Sequence, residues 1–203
     1  MALDTFNIYT YIPQTRTLGP FLRFAIWVQG CPFRCPGCMT PNALPETGGH
    51  LMPISELVQL IQDTPSIEGL TLTGGEPFAQ AGALAKLIYH LRQIKDLGVI
   101  VYSGYTFKKL QVLAISRPEV AVLLRQIDLL IDGPYVAALN DGGSLRGSSN
   151  QQTHLLTKRY ATVLNDYYGQ PKRPVEIHLT KEDVMLVGVP GEETLRKWQK
   201  QFR

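Results

Sequence analysis

All three cysteines of the chain, Cys31, Cys35 and Cys38, lie in one short segment, CPFRCPGC, with the spacing CxxxCxxC. A cubane iron–sulfur cluster is usually held by four thiolates. Three thiolates on one loop therefore predict a 4Fe-4S cluster in which one iron has no ligand from the protein. An iron with an open coordination position can take part in a reaction, so this loop indicates a reactive site rather than a purely structural one.

Two other uses of clustered cysteines fit this spacing less well. Structural zinc takes four ligands, usually from paired knuckles, and the fourth ligand here would have to be a histidine. The histidines are isolated and do not stand at such a spacing; they are His50, His90, His154 and His178. A disulfide would leave one thiol over and would join residues that are very close in sequence.

A second segment, LTLTGGEP from Leu70, leads an apolar strand into Gly74, Gly75, Glu76 and Pro77. Two glycines allow a ligand to approach the backbone closely, and Glu76 is placed to accept hydrogen bonds from an ammonium group. GGEP alone is more often a turn than a site. Because it follows the next strand after the cysteine loop, we expect both segments at the same edge of one α/β sheet.

These two motifs together resemble those of the radical S-adenosylmethionine (SAM) enzymes. In that family the amino and carboxylate groups of SAM chelate the open iron, and the GGEP segment holds the amino group. An electron from the reduced cluster enters the sulfonium, and SAM splits into methionine and a 5′-deoxyadenosyl radical. The resemblance therefore implies metal ligands at Cys31, Cys35 and Cys38, with a 4Fe-4S cluster and SAM as cofactors.

Further segments carry a narrower resemblance: VQGCPFRCPGC from Val28, YSGYT from Tyr102, DLLIDGPY from Asp128 and LRGSSNQ from Leu145. Over roughly residues 20–152 the chain is similar to the activating enzymes of anaerobic (class III) ribonucleotide reductase. DGPY followed by RGSSNQ is the more discriminating pair, because the cysteine loop and GGEP are shared by the whole superfamily. The resemblance implies a glycyl radical protein as the partner and a flavodoxin or ferredoxin as the electron donor.

The chain departs from this family pattern around the third cysteine. Met39 and Thr40 follow it where the activating enzymes commonly continue with histidine and asparagine, so no role of those two residues transfers. Gly37 stands where many radical SAM proteins have an aromatic residue. We expect the backbone of Gly37 to reach the adenine of SAM, without a ring at this position to pack on it.

Two further polar residues follow predicted strands. Ser103, in the turn Ser103-Gly104-Tyr105, and Asp132, in DGPY, are candidates to contact the ribose or methionine of SAM, or a cation near it. Ordinary turn chemistry is the alternative for both, because Gly, Pro, Ser and Asp are common turn formers. The polar stretch over residues 140–152 is interpreted either as a loop over the mouth of the site or as a plain surface loop.

The order of apolar runs and amphipathic segments predicts parallel strands joined by right-handed helical crossovers. We predict an α/β fold, a partial (open) parallel β/α barrel of about five or six units, in which residues 1–203 form a single domain. An alternating strand over residues 6–12 would be an edge, and a hairpin of residues 175–179 and 184–189 would close the sheet. The other predicted strands are 22–29, 69–73, 99–102 and 127–131, and the predicted helices are 53–62, 80–95, 108–115, one after Pro118, and 192–202. Hydrophobic strand residues, including Trp27, are assigned to the core.

Composition disfavours several classes of protein. The formal net charge of +3 is modest and the basic residues are scattered, so we expect no nucleic-acid binding. No stretch reaches the ~18 apolar residues that span a bilayer, and the amino terminus does not have the pattern of a signal peptide. A labile cluster that must stay reduced predicts a cytoplasmic protein without membrane association.

Three functions stay open at this point. The first is an activase, in which the deoxyadenosyl radical takes a hydrogen atom from a backbone glycine of a partner protein. The second is a small radical SAM enzyme that modifies a peptide or a metabolite, which the altered residues Met39 and Thr40 motivate. The third is a noncatalytic metal-binding module. One cluster uses every cysteine, which disfavours enzymes that need an auxiliary cluster or a catalytic cysteine.

Overall fold

The computed structural model describes residues 5–143, 145–168, 174–179 and 184–202, and shows an α/β fold around a seven-stranded sheet. In chain order its strands are β1 (Thr5–Thr15), β2 (Arg23–Val28), β3 (His50–Pro53), β4 (Gly69–Gly74), β5 (Gly98–Ser103), β6 (Leu129–Asp132) and β7 (Gln152–Leu155). Across the sheet the order is β3-β1-β2-β4-β5-β6-β7. A separate two-stranded sheet consists of β8 (Val175–Leu179) and β9 (Val184–Gly188). The helices are α1 (Ile54–Asp63), α2 (Ala81–Arg92), α3 (Phe107–Ser116), α4 (Pro118–Leu124), α5 (Leu164–Tyr168) and α6 (Glu192–Phe202).

Strands β2, β4, β5 and β6 form the parallel centre of the sheet. They are buried along nearly their whole length, which is why they appear in the sequence as continuous apolar runs rather than alternating ones. One face packs against the crossover helices in a core that includes Phe24, Leu72 and Leu84. The other face packs against residues of the carboxyl-terminal part, including Tyr160 and Val187.

The predicted central strands and the crossover helices are confirmed within a few residues, whereas the edges of the sheet are not. The strand predicted as an edge over residues 6–12 is β1, which lies between β2 and β3 and pairs antiparallel with both. The edge is β3, which is too short and too exposed to give an apolar pattern; its Leu51 is 75% exposed. The count of five or six parallel units is not confirmed, because β1, β3 and β7 are antiparallel and four of the described strands run parallel.

The carboxyl-terminal hairpin pairs as predicted but does not close the sheet, because β8 and β9 are hydrogen-bonded to each other and belong to a separate sheet. Val187 and Val189 pack instead on a cluster that includes Trp27. Glu176 of β8 also accepts a hydrogen bond from Thr15 Oγ1 at 2.7 Å. Residues 180–183, which connect the two strands, lie outside the described residues. The hairpin therefore covers one face of the sheet rather than extending its edge.

Helix α6 spans the residues predicted for it, but it packs less deeply than its amphipathic pattern indicates. Leu195 and Trp198, predicted to face inward, are only half-buried, and the ring of Trp198 lies 4.2 Å from that of Phe202. None of the helices that the structure describes is long and apolar enough to cross a membrane.

The amino ends of the parallel strands are joined by the fully buried side chain of Arg23, the first residue of β2. Its guanidinium donates to Glu68 Oε2 at 2.7 Å, to Thr71 Oγ1 at 2.7 Å and to Tyr160 OH at 2.9 Å. It also donates to the carbonyl oxygen of Gly98 at the start of β5, at 3.1 Å. One planar cation thus satisfies acceptors around three neighbouring strands, which a point charge cannot do.

Replacing Arg23 by lysine should destabilise the protein, because an ammonium group cannot reproduce the fork of the guanidinium. We expect the free energy of unfolding to fall by about 3 kcal/mol, because each buried acceptor left unpaired by the change costs about 1–3 kcal/mol. Urea unfolding followed by circular dichroism measures the change. Arg117→Lys is the matched control, because it alters a partly exposed pair with Glu119 and should have a much smaller effect. Equal losses in the two variants would contradict this role of Arg23.

Candidate cluster and cofactor site

The carboxyl ends of the four parallel strands meet at one edge of the sheet, as predicted. Cys31, Gly74, Ser103 and Gly133 stand at or just after the ends of β2, β4, β5 and β6. They line one cavity, which is open to solvent at this edge. The cavity wall also includes Trp27, Phe33, Cys35, Cys38, Met39, Thr40, Gly75, Glu76, Tyr102, Tyr135, Gly147, Gln151, Gly188 and Val189.

The cysteine loop is fixed by backbone hydrogen bonds to the segment that follows it. The N–H of Gly30 donates to the carbonyl oxygen of Ala43 at 2.9 Å, and the N–H of Cys31 donates to that of Leu44 at 3.0 Å. Arg34 turns back within the loop, and its guanidinium donates to the carbonyl oxygen of Cys31. All three cysteines are free thiols that line the cavity. The loop is therefore shaped by the chain itself and presents three thiols on one wall.

The chemistry of these thiols fits a polynuclear cluster. Burial raises the pKa of Cys31 to about 11 and also raises the pKa of Cys38, so both thiols need a nearby cation to ionise at neutral pH. Within the described ranges, no three Cys, His, Asp or Glu side chains converge as a single metal ion requires. In a cubane each thiolate binds a different iron, and three free thiols on one cavity wall are a donor set of the kind that such a cluster uses.

Glu76 is fully buried beside the cavity and connects two strand ends. Its Oε1 accepts hydrogen bonds from Ser103 Oγ at 2.9 Å and from the N–H of Phe78 at 3.0 Å. Its Oε2 accepts from the N–H of Gly104 at 2.8 Å. Burial raises the pKa of Glu76 to about 7, although these three hydrogen bonds act in the opposite direction. An ammonium ligand, as predicted from the sequence, would share the carboxylate with three internal donors.

Close packing of the chain on itself explains Gly74 and Gly75. A Cβ on Gly74 would lie 2.7 Å from the Cα of Trp27, and a Cβ on Gly75 would lie 2.2 Å from the carbonyl oxygen of Gly30. Gly74 also has a φ of +96°, which residues with a side chain rarely adopt. Both glycines line the cavity, yet backbone atoms fill the space that a side chain would take. Close packing of the backbone is therefore enough to require glycine at both positions.

Asp132, a predicted site residue, lies beside the cavity without lining it. Its carboxylate accepts hydrogen bonds from the N–H groups of Phe107 and Gln152, and Nε2 of His154 lies 3.1 Å away. These partners belong to α3 and β7, so the side chain holds both elements against the end of β6. The next residue, Gly133, lines the cavity in its place.

Pro77 and Gly37 are also outside the cavity wall. Pro77 is buried at the start of the 3-10 turn Pro77–Gln80. Gly37 has a φ of +74°, and a Cβ on it would lie 3.1 Å from the Cβ of Ala137. Gly37 thus lets the segment after DGPY approach the cysteine loop.

The residues that depart from the family pattern, Met39 and Thr40, both line the cavity. Met39 is half-buried and packs against the cluster of apolar residues that contains Trp27. The backbone N–H of Thr40 hydrogen-bonds the Cys38 thiol, which partly offsets the rise in its pKa. Trp27 is 8% exposed and serves both the core, as predicted, and the cavity wall.

Two aromatic side chains of the wall were not singled out by sequence reasoning. Phe33 lies within CPFRC, and its ring would be 2.6 Å from a Cβ on Gly104. The same ring contacts the ring of Tyr105 edge-on, with 4.8 Å between the ring centroids. Tyr135 comes from DGPY. The resemblance indicated both segments, but only the folded chain shows which side chains face the cavity.

Within the polar stretch over residues 140–152, residues 145–151 form part of the wall rather than a plain surface loop. Leu145, Ser148 and Gln151 are buried, and Gly147 and Gln151 line the cavity. Asn140 also donates from Nδ2 to the carbonyl oxygen of Pro190, which ties the loop to the carboxyl-terminal segment.

The raised pKa of Glu76 should make stability depend on pH. Because the folded protein holds this proton up to about pH 7 and the unfolded chain releases it near 4.5, stability falls as pH rises through this window. Between pH 5 and 8 the free energy of unfolding of SAM-free apoprotein should fall by about 2 kcal/mol more than that of Glu76→Gln. Urea unfolding at several pH values measures this difference. Parallel pH profiles in the two proteins would contradict the buried, proton-binding carboxylate.

Comparison with known proteins identifies relatives of this arrangement. Residues 17–154 match the family described as "4Fe-4S single cluster domain". The chain is 29% identical to the anaerobic ribonucleoside-triphosphate reductase-activating protein of Vibrio cholerae, over 74% of this chain and 99% of that protein. It is 30% identical to the protein of the same name from Escherichia coli K12, with the same coverage. A crystal structure of QueE from Escherichia coli is 17% identical, with a TM-score of 0.38 over 52% of this chain and 56% of that chain. The chain belongs to the 4Fe-4S single cluster domain family and to the family of the anaerobic ribonucleoside-triphosphate reductase-activating proteins.

Proposed function

We propose that this chain is a radical SAM enzyme that generates a glycyl radical on an anaerobic ribonucleotide reductase. One observation carries the proposal: three free thiols, the first three residues of the GGEP turn, and one or more residues each of DGPY and RGSSNQ line a single cavity. The names of its relatives give the target as an anaerobic ribonucleoside-triphosphate reductase. The cavity is open at the edge of the sheet, which suits a substrate that is itself a protein.

We assign Cys31, Cys35 and Cys38 as ligands of three irons of a 4Fe-4S cluster, which leaves the fourth iron for SAM. The cluster would donate an electron to the sulfonium of SAM, releasing methionine and the 5′-deoxyadenosyl radical that takes a hydrogen atom from the partner's glycine. The protein's task is to bind and orient these groups and to exclude water. Buried apolar side chains beside the thiols, such as Trp27, serve that exclusion.

The other proposed site residues divide by their position relative to the cavity. Gly74, Gly75, Glu76 and Ser103 line it and form the two linked turns next to the cysteine loop. The remaining three residues do not line the cavity but fix the backbone next to it; they are Gly37, Pro77 and Asp132.

The residues that line the cavity come from both halves of the chain, from Leu18 to Val189, which supports residues 1–203 acting as one domain. For the electron donor we propose a flavodoxin or a ferredoxin, as the family resemblance implies.

Loss of one ligand should abolish both cluster and chemistry. Anaerobically reconstituted wild type should hold about four irons per chain and form 5′-deoxyadenosine from SAM with dithionite, whereas Cys35→Ala should lose iron and make none. Met39→Leu, on the same loop, is the matched control, because it preserves volume and removes no ligand. Iron analysis and chromatography of the products measure the outcome. Bound zinc, or turnover by Cys35→Ala, would overturn the assignment.

The target is tested with the partner present. Reduced enzyme, SAM and the cognate anaerobic reductase should give a persistent glycyl radical in the electron paramagnetic resonance spectrum, and enzyme without the reductase should not. Production of 5′-deoxyadenosine with no protein radical, together with a change of mass in a peptide or metabolite, would favour a modifying enzyme instead.

A further inference from the structure

The side chain of Gln151 cross-links the two motifs that distinguish this family, DGPY and RGSSNQ. Its Oε1 accepts hydrogen bonds from the N–H of Gly147 at 2.7 Å and from the N–H of Ser148 at 3.2 Å. Its Nε2 donates to the carbonyl oxygen of Gly133 at 2.7 Å. Gln151 itself is only 9% exposed. One buried amide therefore fixes the distance between the segment that follows β6 and the segment that precedes β7.

The backbone that Gln151 holds belongs to the cavity wall. Gly133 and Gly147 both line the cavity and present no side chain to it, so a ligand on this side meets main-chain atoms beside the side chains of Tyr135 and Gln151. Gly133 has a φ of +100°, a conformation that favours glycine. This wall is held by the hydrogen bonds of Gln151, and the ring of Tyr135 packs beside it, 3.0 Å from where a Cβ on Gly147 would lie.

The same wall is held in place relative to the cysteine loop. A Cβ on Gly37 would lie 3.1 Å from Ala137 and 3.9 Å from the ring of Tyr135, so DGPY and the residues after it lie directly against the loop. Ser148 Oγ accepts a hydrogen bond from the N–H of Val136 at 3.1 Å, which joins RGSSNQ to this contact. A shift of the wall would therefore change its distance from the thiols.

We infer that Gln151 is a positioning residue for SAM, which sets the wall of Gly133 and Gly147 at the distance from the cluster that the cofactor requires. The inference rests on the proposed function, because it takes SAM as the occupant of the cavity. Gln151 acts through the backbone that it holds. Its loss should weaken SAM binding while the cysteine loop, which is fixed by Ala43 and Leu44, keeps its cluster.

Asn150 offers a matched control one residue away. Its Nδ2 donates to the carbonyl oxygen of Pro134 at 2.8 Å, in the same turn that Gln151 holds through Gly133. Asn150 is exposed, however, and does not line the cavity. Both side chains are amides that bind a backbone carbonyl of DGPY, so the two variants differ mainly in whether the cavity wall loses its support.

The test compares wild type, Gln151→Ala, Gln151→Glu and Asn150→Ala as anaerobically reconstituted holoenzymes. Equilibrium dialysis gives the Kd for SAM, and electron paramagnetic resonance of the reduced cluster follows the spectral change as SAM is added. We expect the Kd of Gln151→Ala to rise on the order of tenfold, the effect of leaving buried hydrogen-bonding groups unpaired. Gln151→Glu keeps an acceptor for Gly147 but sets an oxygen against the carbonyl oxygen of Gly133, and should weaken SAM binding at least as much as Gln151→Ala. Asn150→Ala should bind SAM like wild type, and all four proteins should hold equal iron.

Three results would count against the inference. Equal Kd values for Gln151→Ala and wild type would remove the positioning role. Equal weakening in Gln151→Ala and Asn150→Ala would assign the effect to the loop as a whole. Loss of iron or of folding in both Gln151 variants would show a structural role only. Failure of wild type itself to bind SAM would instead contradict the proposed function, and the inference with it.

Discussion

The buried carboxylate of Glu76 holds together the two strand ends on which the site is built. Pairing between β4 and β5 ends at Leu72 and Val101, before the turns that carry GGEP and Ser103 begin. Beyond that point Glu76 supplies the contact between the turns, through Ser103 Oγ and the N–H of Gly104. A buried carboxylate without partners is costly, whereas a fully hydrogen-bonded one fixes its surroundings. Movement of either turn would leave this group short of a partner, so the two turns behave as one unit.

The amino ends and the carboxyl ends of the parallel strands are organised in opposite ways. At the amino ends, Arg23 fills the space between strands and donates hydrogen bonds to acceptors of β4 and β5, so this end is packed. At the carboxyl ends, glycines and thiols leave an open cavity. Parallel α/β folds commonly separate stability and function in this way. The separation means that residues of the cavity can vary without weakening the arginine network.

The central fold could be predicted because its signals are local. Apolar runs identify β2, β4, β5 and β6, and helical spacing identifies the crossovers between them. The edges could not be predicted: β3 owes its place to pairing with β1, and β8 and β9 pack on a face rather than an edge, which depends on contacts distant in sequence.

The site shows the same division between local and distant signals. The spacing of Cys31, Cys35 and Cys38 is visible in the chain, and so is the GGEP turn. The contact of Phe33 with Gly104 and the bonds from Gln151 to Gly133 join segments separated by 18 or more positions, so no local pattern records them. Gly74 shows the limit of residue type as a guide, because the close approach of Trp27 on the neighbouring strand is enough to require glycine there.

The match to the 4Fe-4S single cluster domain ends at residue 154, but the wall of the cavity does not. Gly188 and Val189 complete one side of it from a segment that the shared family region does not include. Access to the cavity from this side therefore depends on a segment that lies outside residues 17–154.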